Sequence, residues 1–389
     1  MLIRSCSKRF IFAVLFLMAT PALSVSGLVG LGFFPNEKLA LILVAVSMYS
    51  WRREVRQLRI FGLFCGTILA LLLFTQLFAG TNGLIRPSLN SIVVVLSIPF
   101  YYSFLSAHSY TVCRFIFYIG VIQLFVSLIQ QYFSLTGYHD IASYFNNYPA
   151  QTDYRFPVGE TGFIYRTSGL FFESSGYALF QWLSIICALK TDVHKYLIGK
   201  FTIFLMIFEV FLNGSLTGYL FALGWFGTDY FVRSYQKIQV IKVIMAISVC
   251  ITFVYLLSVF EYFNFANLGT KLAGQFDFLS DPSSSKPSRL KGLVESFVYM
   301  LNSDSLLYGI GFSWITPTLD FYSLYFKAFG LIGFSSLLLY VLALIRQAPL
   351  NYGVAVILAL SVNGHLSTVV NILLLSMPLV FLTMDRGQK

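Results

Sequence analysis

Arg166 and Glu173 lie seven residues apart in "YRTSGLFFESSGY", 165–177, at the mouth of a long apolar run. A guanidinium presents a planar fork of donors that matches a phosphate, and a carboxylate nearby can take a proton from a hydroxyl or orient one. Arg289 repeats the arrangement in "DPSSSKPSRLKGLVESF", with Lys286 and Lys291 beside it. Ser168 and Ser288 are N-cap residues by type, so each arginine falls at a helix start, where the macrodipole disfavours a lone cation and favours a shared anion. Two such arginines point to a site for a diphosphate or for two phosphates. The plainer readings stay open: Arg166 as an interfacial side chain snorkelling to lipid phosphates, Arg289 as a solvated side chain of a Ser/Pro loop, and Glu173 as an offset to Arg166.

Other polar positions have weaker signals. Glu209, in "LMIFEVFLNGSLTG", falls inside an apolar run about one turn from its end. It is a functional candidate or a hydrogen-bonding partner for a neighbouring helix. Asn213 in the following turn either contacts a ligand or only makes the turn. The histidines, His108, His139, His194 and His365, show no metal-ligand spacing, and the cysteines, Cys6, Cys65, Cys113, Cys187 and Cys250, are not placed for an external disulfide. The expectation is no metal and no cofactor.

These residues need a scaffold, and composition names its class. Of 389 residues 57% are hydrophobic and 11% charged, outside the range of soluble domains, so the chain reads as an all-α polytopic membrane protein. Apolar runs near 10–33, 37–51, 58–79, 88–107, 114–135, 169–189, 197–213, 216–232, 240–260, 322–345, 350–363 and 368–384 give about twelve transmembrane helices in one transmembrane domain, 1–389. The basic start and small residues of the N-terminus imitate a secretory signal, but apolar character resumes through "LVGLGFF" and the segment reads as a span.

The net charge of +10 is not a nucleic-acid patch, because 17 of the 26 basic residues fall in short segments on one side. The positive-inside rule then puts both termini in the cytoplasm and two long loops, about 136–168 and 261–321, outside. Within the second, Leu290, Leu293, Val294, Phe297 and Leu301 recur at helical spacing, as in a helix lying on the membrane face. The first is crowded with aromatic residues, which suit a headgroup belt and also the stacking of sugar rings.

With these features in place, the chain resembles bacterial O-antigen polymerases of the Wzy type within the O-antigen ligase/polymerase superfamily. "RTSGLFFES" resembles the family's arginine, glycine, aromatic, glutamate signature at Arg166, Gly169 and Glu173, with Ser174 where a proline is usual. "NGSLTGYL" resembles its serine-containing turn at Ser215. "SRLKGLVESFVYMLNSDSLLYGIGFS" resembles its arginine followed by Gly-x-Gly, at Arg289, Gly309 and Gly311, and "DFYSLYFKAFGLIGF" resembles the next block at Asp320, Gly330 and Gly333.

The resemblance covers about 166–333. It implies a GT-C-like bundle in the bacterial inner membrane that joins undecaprenyl-diphosphate-linked oligosaccharide repeats into O-antigen or a related surface polysaccharide at the outer face. It further implies Arg166 and Arg289 on the diphosphates, Glu173 or Asp320 as the acceptor-handling carboxylate, and Gly169, Ser215 and Glu209 in support. A flippase and a chain-length regulator of the same pathway would be its protein partners. The ligase branch is similar but uses a histidine ahead of the final glycine block, where this chain has none. A flippase or transporter is a second class, for which charges or broken helices near the midplane are expected.

Overall fold

A computed structural model describes residues 8–20, 108–136, 155–158, 162–165, 167, 169–171, 174–213, 215–233, 306–309, 321–345 and 349–360, with single positions at 40, 43, 44, 104, 105, 373, 374, 376, 377, 380, 381 and 384. In chain order the elements are α1 (Lys8–Ala19), α2 (Ser109–Leu135), β1 (Arg155–Val158), β2 (Gly162–Tyr165), α3 (Ser174–Lys190), a 3-10 turn (Asp192–Lys195), α4 (Leu197–Leu212), α5 (Leu216–Arg233), α6 (Phe321–Ile345) and α7 (Leu350–Leu360).

α2 is built the opposite way round from a helix on a water-soluble core. Gln123, Ser127 and Gln130, spaced four and three apart on one face, are fully buried, while Phe125 and Tyr132 are 62% and 63% exposed and Leu128 and Ile129 stand beside them on the surface. A soluble amphipathic helix sets its polar stripe in water; one whose apolar face is outside suits a hydrocarbon solvent. Among the described residues it is the helix long and apolar enough to cross a membrane, over Ser109–Phe133. At 1.5 Å per residue those 25 residues reach about 37 Å, beyond the ~30 Å of a hydrocarbon core.

α4 follows the same plan, exposing Leu197, Ile198, Phe201, Phe204 and Phe211 while Glu209 is buried. It turns through Asn213 and Ser215 into α5, the tight connection expected from "NGSLTG". α3 is the central helix, buried from Gly176 to Ala188 and packed on α2, α4 and α5. Its Trp182 stacks on Phe221 at 6.3 Å, meets Phe211 and Phe226 edge-on, and donates its indole N–H to the Gly218 carbonyl at 2.9 Å. α5 crosses α7 closely, so that a Cβ on Gly224 would lie 2.6 Å from the Ala355 Cα. This small-residue contact brings two backbones together as in membrane bundles.

Two features differ from the sequence expectation. Within the first long loop, β1 and β2 pair antiparallel, with Arg155 opposite Tyr165 and Val158 opposite Gly162, a pairing the hydropathy pattern did not announce. Apart from this short hairpin the described elements are helical, in keeping with the all-α class. The sixth apolar run also becomes helical later than expected, at Ser174 rather than near residue 169. Hydrogen bonds from α2 claim the backbone of Gly169 and Leu170, as described below; Ser168 and Glu173 lie outside the described residues.

Candidate functional site

Between β2 and α3 the described residues Thr167 and Gly169 to Phe171 belong to a connecting strap, and the main chain of Thr167, Gly169 and Leu170 is held by side chains from α2 and from Asn213 at the end of α4. Gln130 makes a two-point contact, its Nε2 donating to the Gly169 carbonyl and its Oε1 accepting the Gly169 N–H, both at 3.0 Å. Two helical turns earlier, Gln123 accepts the Leu170 N–H at 2.7 Å and donates to the Ala19 carbonyl of α1 at 2.6 Å. From the end of α4, Asn213 Nδ2 donates to the Thr167 carbonyl at 2.5 Å. A buried main-chain group left unpaired is costly, so these amides fix the strap as firmly as a sheet ladder would.

Gly169 is required by this geometry. Its φ of 56° is left-handed, and a Cβ there would overlap Gln123 Oε1 and stand 2.8 Å from the Tyr177 ring. Next to it Leu170 and Phe171 are buried, the latter 5.4 Å from the Phe180 ring.

Below the strap lies Glu209, almost wholly buried. Its Oε1 meets the Thr167 hydroxyl at 2.8 Å and the Ser127 hydroxyl, and those two hydroxyls are themselves 2.5 Å apart. Glu209 Oε2 has no hydrogen-bond partner among the described residues; the Tyr177 hydroxyl interacts with Glu209, Ser127 and Gln181 without meeting hydrogen-bond geometry to any of them. Ser215 is buried at the head of α5, where its carbonyl accepts the Tyr219 N–H at 3.0 Å while its hydroxyl has no partner among the described residues.

A second junction lies at α6, which is broken at Gly330 (φ 62°, ψ −162°). The freed N–H groups of Leu331 and Ile332 donate to the carbonyls of Leu306 and Leu307 at 2.8 and 3.1 Å, so 306–309 docks into the break. A Cβ on Gly330 would lie 2.6 Å from the Leu307 carbonyl oxygen and the Gly309 nitrogen. Gly309 and Gly330, singled out separately in the sequence, thus meet in space.

Of the expected site residues, Gly169, Ser215 and Glu209 are placed as above, with Gly169 and Glu209 joined through the strap and α2. Arg166, Glu173, Arg289 and Asp320 lie outside the described residues, as does the helix expected from Leu290 to Leu301. The chain neighbours of Arg166 are nevertheless both fixed, Tyr165 by pairing with Arg155 and Thr167 by Asn213, Ser127 and Glu209. Asn213 is buried, and its Nδ2 donates to the Thr167 carbonyl, so it holds the strap as well as making the turn.

Gln123, Ser127, Gln130 and Thr167 were not expected from the sequence. Their legible signal is three amide or hydroxyl residues at positions 123, 127 and 130, on one face of an otherwise apolar run. The cluster offers hydroxyls, amides and one carboxyl, a set that positions backbone; no group of three His, Cys, Asp or Glu residues converges among the described residues. In comparison with known proteins, the chain matches no family model and no curated protein.

Proposed function

We propose that the chain is a multi-pass membrane glycosyltransferase of the inner membrane, with about twelve spans, both termini inside and its two long loops outside. In this reading it transfers a growing polysaccharide from its polyprenyl diphosphate to the hydroxyl of a new lipid-linked repeat. The observation that carries the proposal is the strap. The stretch that resembles the polymerase signature is clamped by buried amides between a hairpin and the bundle end, fixing the main chain on both sides of Arg166.

A guanidinium suits a diphosphate, because a leaving group that is already stable needs charge neutralisation and alignment more than covalent help. Arg166 and Arg289 take the two lipid diphosphates, and Glu173 or Asp320 receives or orients the acceptor hydroxyl proton. The inverted polarity of α2 and α4 supports lipid as the surrounding solvent.

The break in α6 favours one second reading, a carrier of lipid-linked saccharide, since discontinuous helices line transport sites. Reconstitution separates the two. Purified protein in liposomes with lipid-linked repeats yields a ladder of longer chains if it polymerises; repeats that change leaflet without lengthening would replace polymerisation with transport.

A further inference from the structure

The contacts around Glu209 can be counted in protons. Three oxygens, Ser127 Oγ, Thr167 Oγ1 and Glu209 Oε1, form a triangle with every edge at hydrogen-bonding range. A carboxylate only accepts, and each hydroxyl brings a single proton. With Glu209 ionised, two hydroxyl protons must serve three edges, so one pair of oxygens stands at hydrogen-bonding range with no proton between them, whichever way the hydroxyls turn. With Glu209 protonated on Oε1 the edges close: Glu209 donates to one hydroxyl, that hydroxyl to the other, and the second back to Oε1.

The surroundings agree. Among the described residues the groups facing the carboxyl are Ser127 of α2, Thr167 of the strap and Tyr177 of α3, and none of these is a cation. An unpaired carboxylate in such a place is far more costly than a neutral acid. Asn213, at the end of the same helix, spends its amide on Thr167.

We infer that Glu209 is carried as the neutral carboxylic acid, a positioning residue whose proton closes a three-membered hydrogen-bond ring tying α2, α4 and the strap together. The ring is a property of the fold; that the strap then presents Arg166 to a diphosphate rests on the function proposed above. It makes Glu209 a donor to the protein's own hydroxyls, distinct from any carboxylate that handles substrate.

Infrared spectroscopy of the full-length protein in lipid at neutral pH tests this independently of enzymatic activity. The expected result is a protonated-carboxyl C=O band that shifts in D2O and is lost in Glu209→Gln. A wild-type minus Glu209→Gln difference confined to the ionised-carboxylate region would overturn the inference. Should Glu209→Gln fail to accumulate, Ser127→Ala serves: removing a ring member must move the same band, and an unmoved band would equally overturn it. Thermal unfolding in detergent adds the structural readout. Gln, which both donates and accepts, should retain most of the midpoint that Glu209→Ala loses, and a Gln variant as unstable as Ala counts against the ring.

Discussion

At the scale of single residues, the two arginines have a measurable signature. If each grips phosphate through its fork, Arg166→Lys and Arg289→Lys keep charge but lose the two-point geometry, while the alanine variants lose both. A charge-assisted contact contributes about 1.5–3 kcal/mol, so each alanine change should lower turnover by roughly 10- to 150-fold, with lysine intermediate. Polymer ladders on gels, normalised to protein in the membrane, provide the readout; ladders of normal length from stable alanine variants would remove both arginines from the site. The amides that hold the strap make a different prediction. Gln130→Leu orphans the Gly169 N–H and carbonyl together, at about 1–3 kcal/mol for each group, so thermal unfolding in detergent should fall clearly below wild type. Gln130→Glu keeps an acceptor for the N–H and should lose less.

At the scale of elements, the two backbone breaks predict a graded glycine series. Gly330→Ala puts a methyl against the Leu307 carbonyl at a left-handed φ, and Gly169→Ala puts one against Gln123 and Tyr177, so both should reduce folded protein sharply. Gly227 in α5 is the internal control, since a Cβ there meets nothing within 4 Å; Gly227→Ala should leave stability unchanged or raise it by up to about 1 kcal/mol. Detergent-extracted monomer on size-exclusion chromatography reads all three.

The same elements show what could be read beforehand. α4, α5 and the span of α6 fall where apolar runs and the "NGSLTG" turn put them, because length and turn chemistry are local properties. The late start of α3 was not legible, since it depends on Gln123 and Gln130, 39 to 47 residues earlier in the chain. Glu209 was recognisable as an intramembrane carboxyl, yet its partners Ser127 and Thr167 come from outside its own helix. Nor does hydropathy announce a break at Gly330, for the run from Ala328 to Phe334 is apolar throughout and the interruption is made by the docked segment 306–309.

At the scale of the whole molecule, the proposal stands on sidedness. The charge distribution puts the loops holding Arg166 and Arg289 on the outer face, so reporter fusions after Asn147 and after Ser284 should report outside and one after Arg53 inside. A cytoplasmic signal at either loop would set the two arginines against the wrong leaflet and end the two-site scheme. The inverted polarity of α2 adds a solvent test: in bilayers of lipid carrying a collisional spin label, probes at Phe125 and Tyr132 should meet acyl chains, and probes at Ser127 should not.

The strap also imposes an order on manufacture. Thr167 leaves the ribosome 42 residues before the glutamate that receives its hydroxyl, and Ser127 precedes that glutamate by 82. At roughly 5–20 residues per second, Thr167 waits about 2 to 8 s for Glu209. During that interval α2 has already been made, and its glutamines can gather the strap backbone, but the anchor from the other side does not yet exist. A nascent chain stalled before residue 209 should therefore leave the strap open to protease from the far side of the membrane, and one stalled well past residue 213 should protect it.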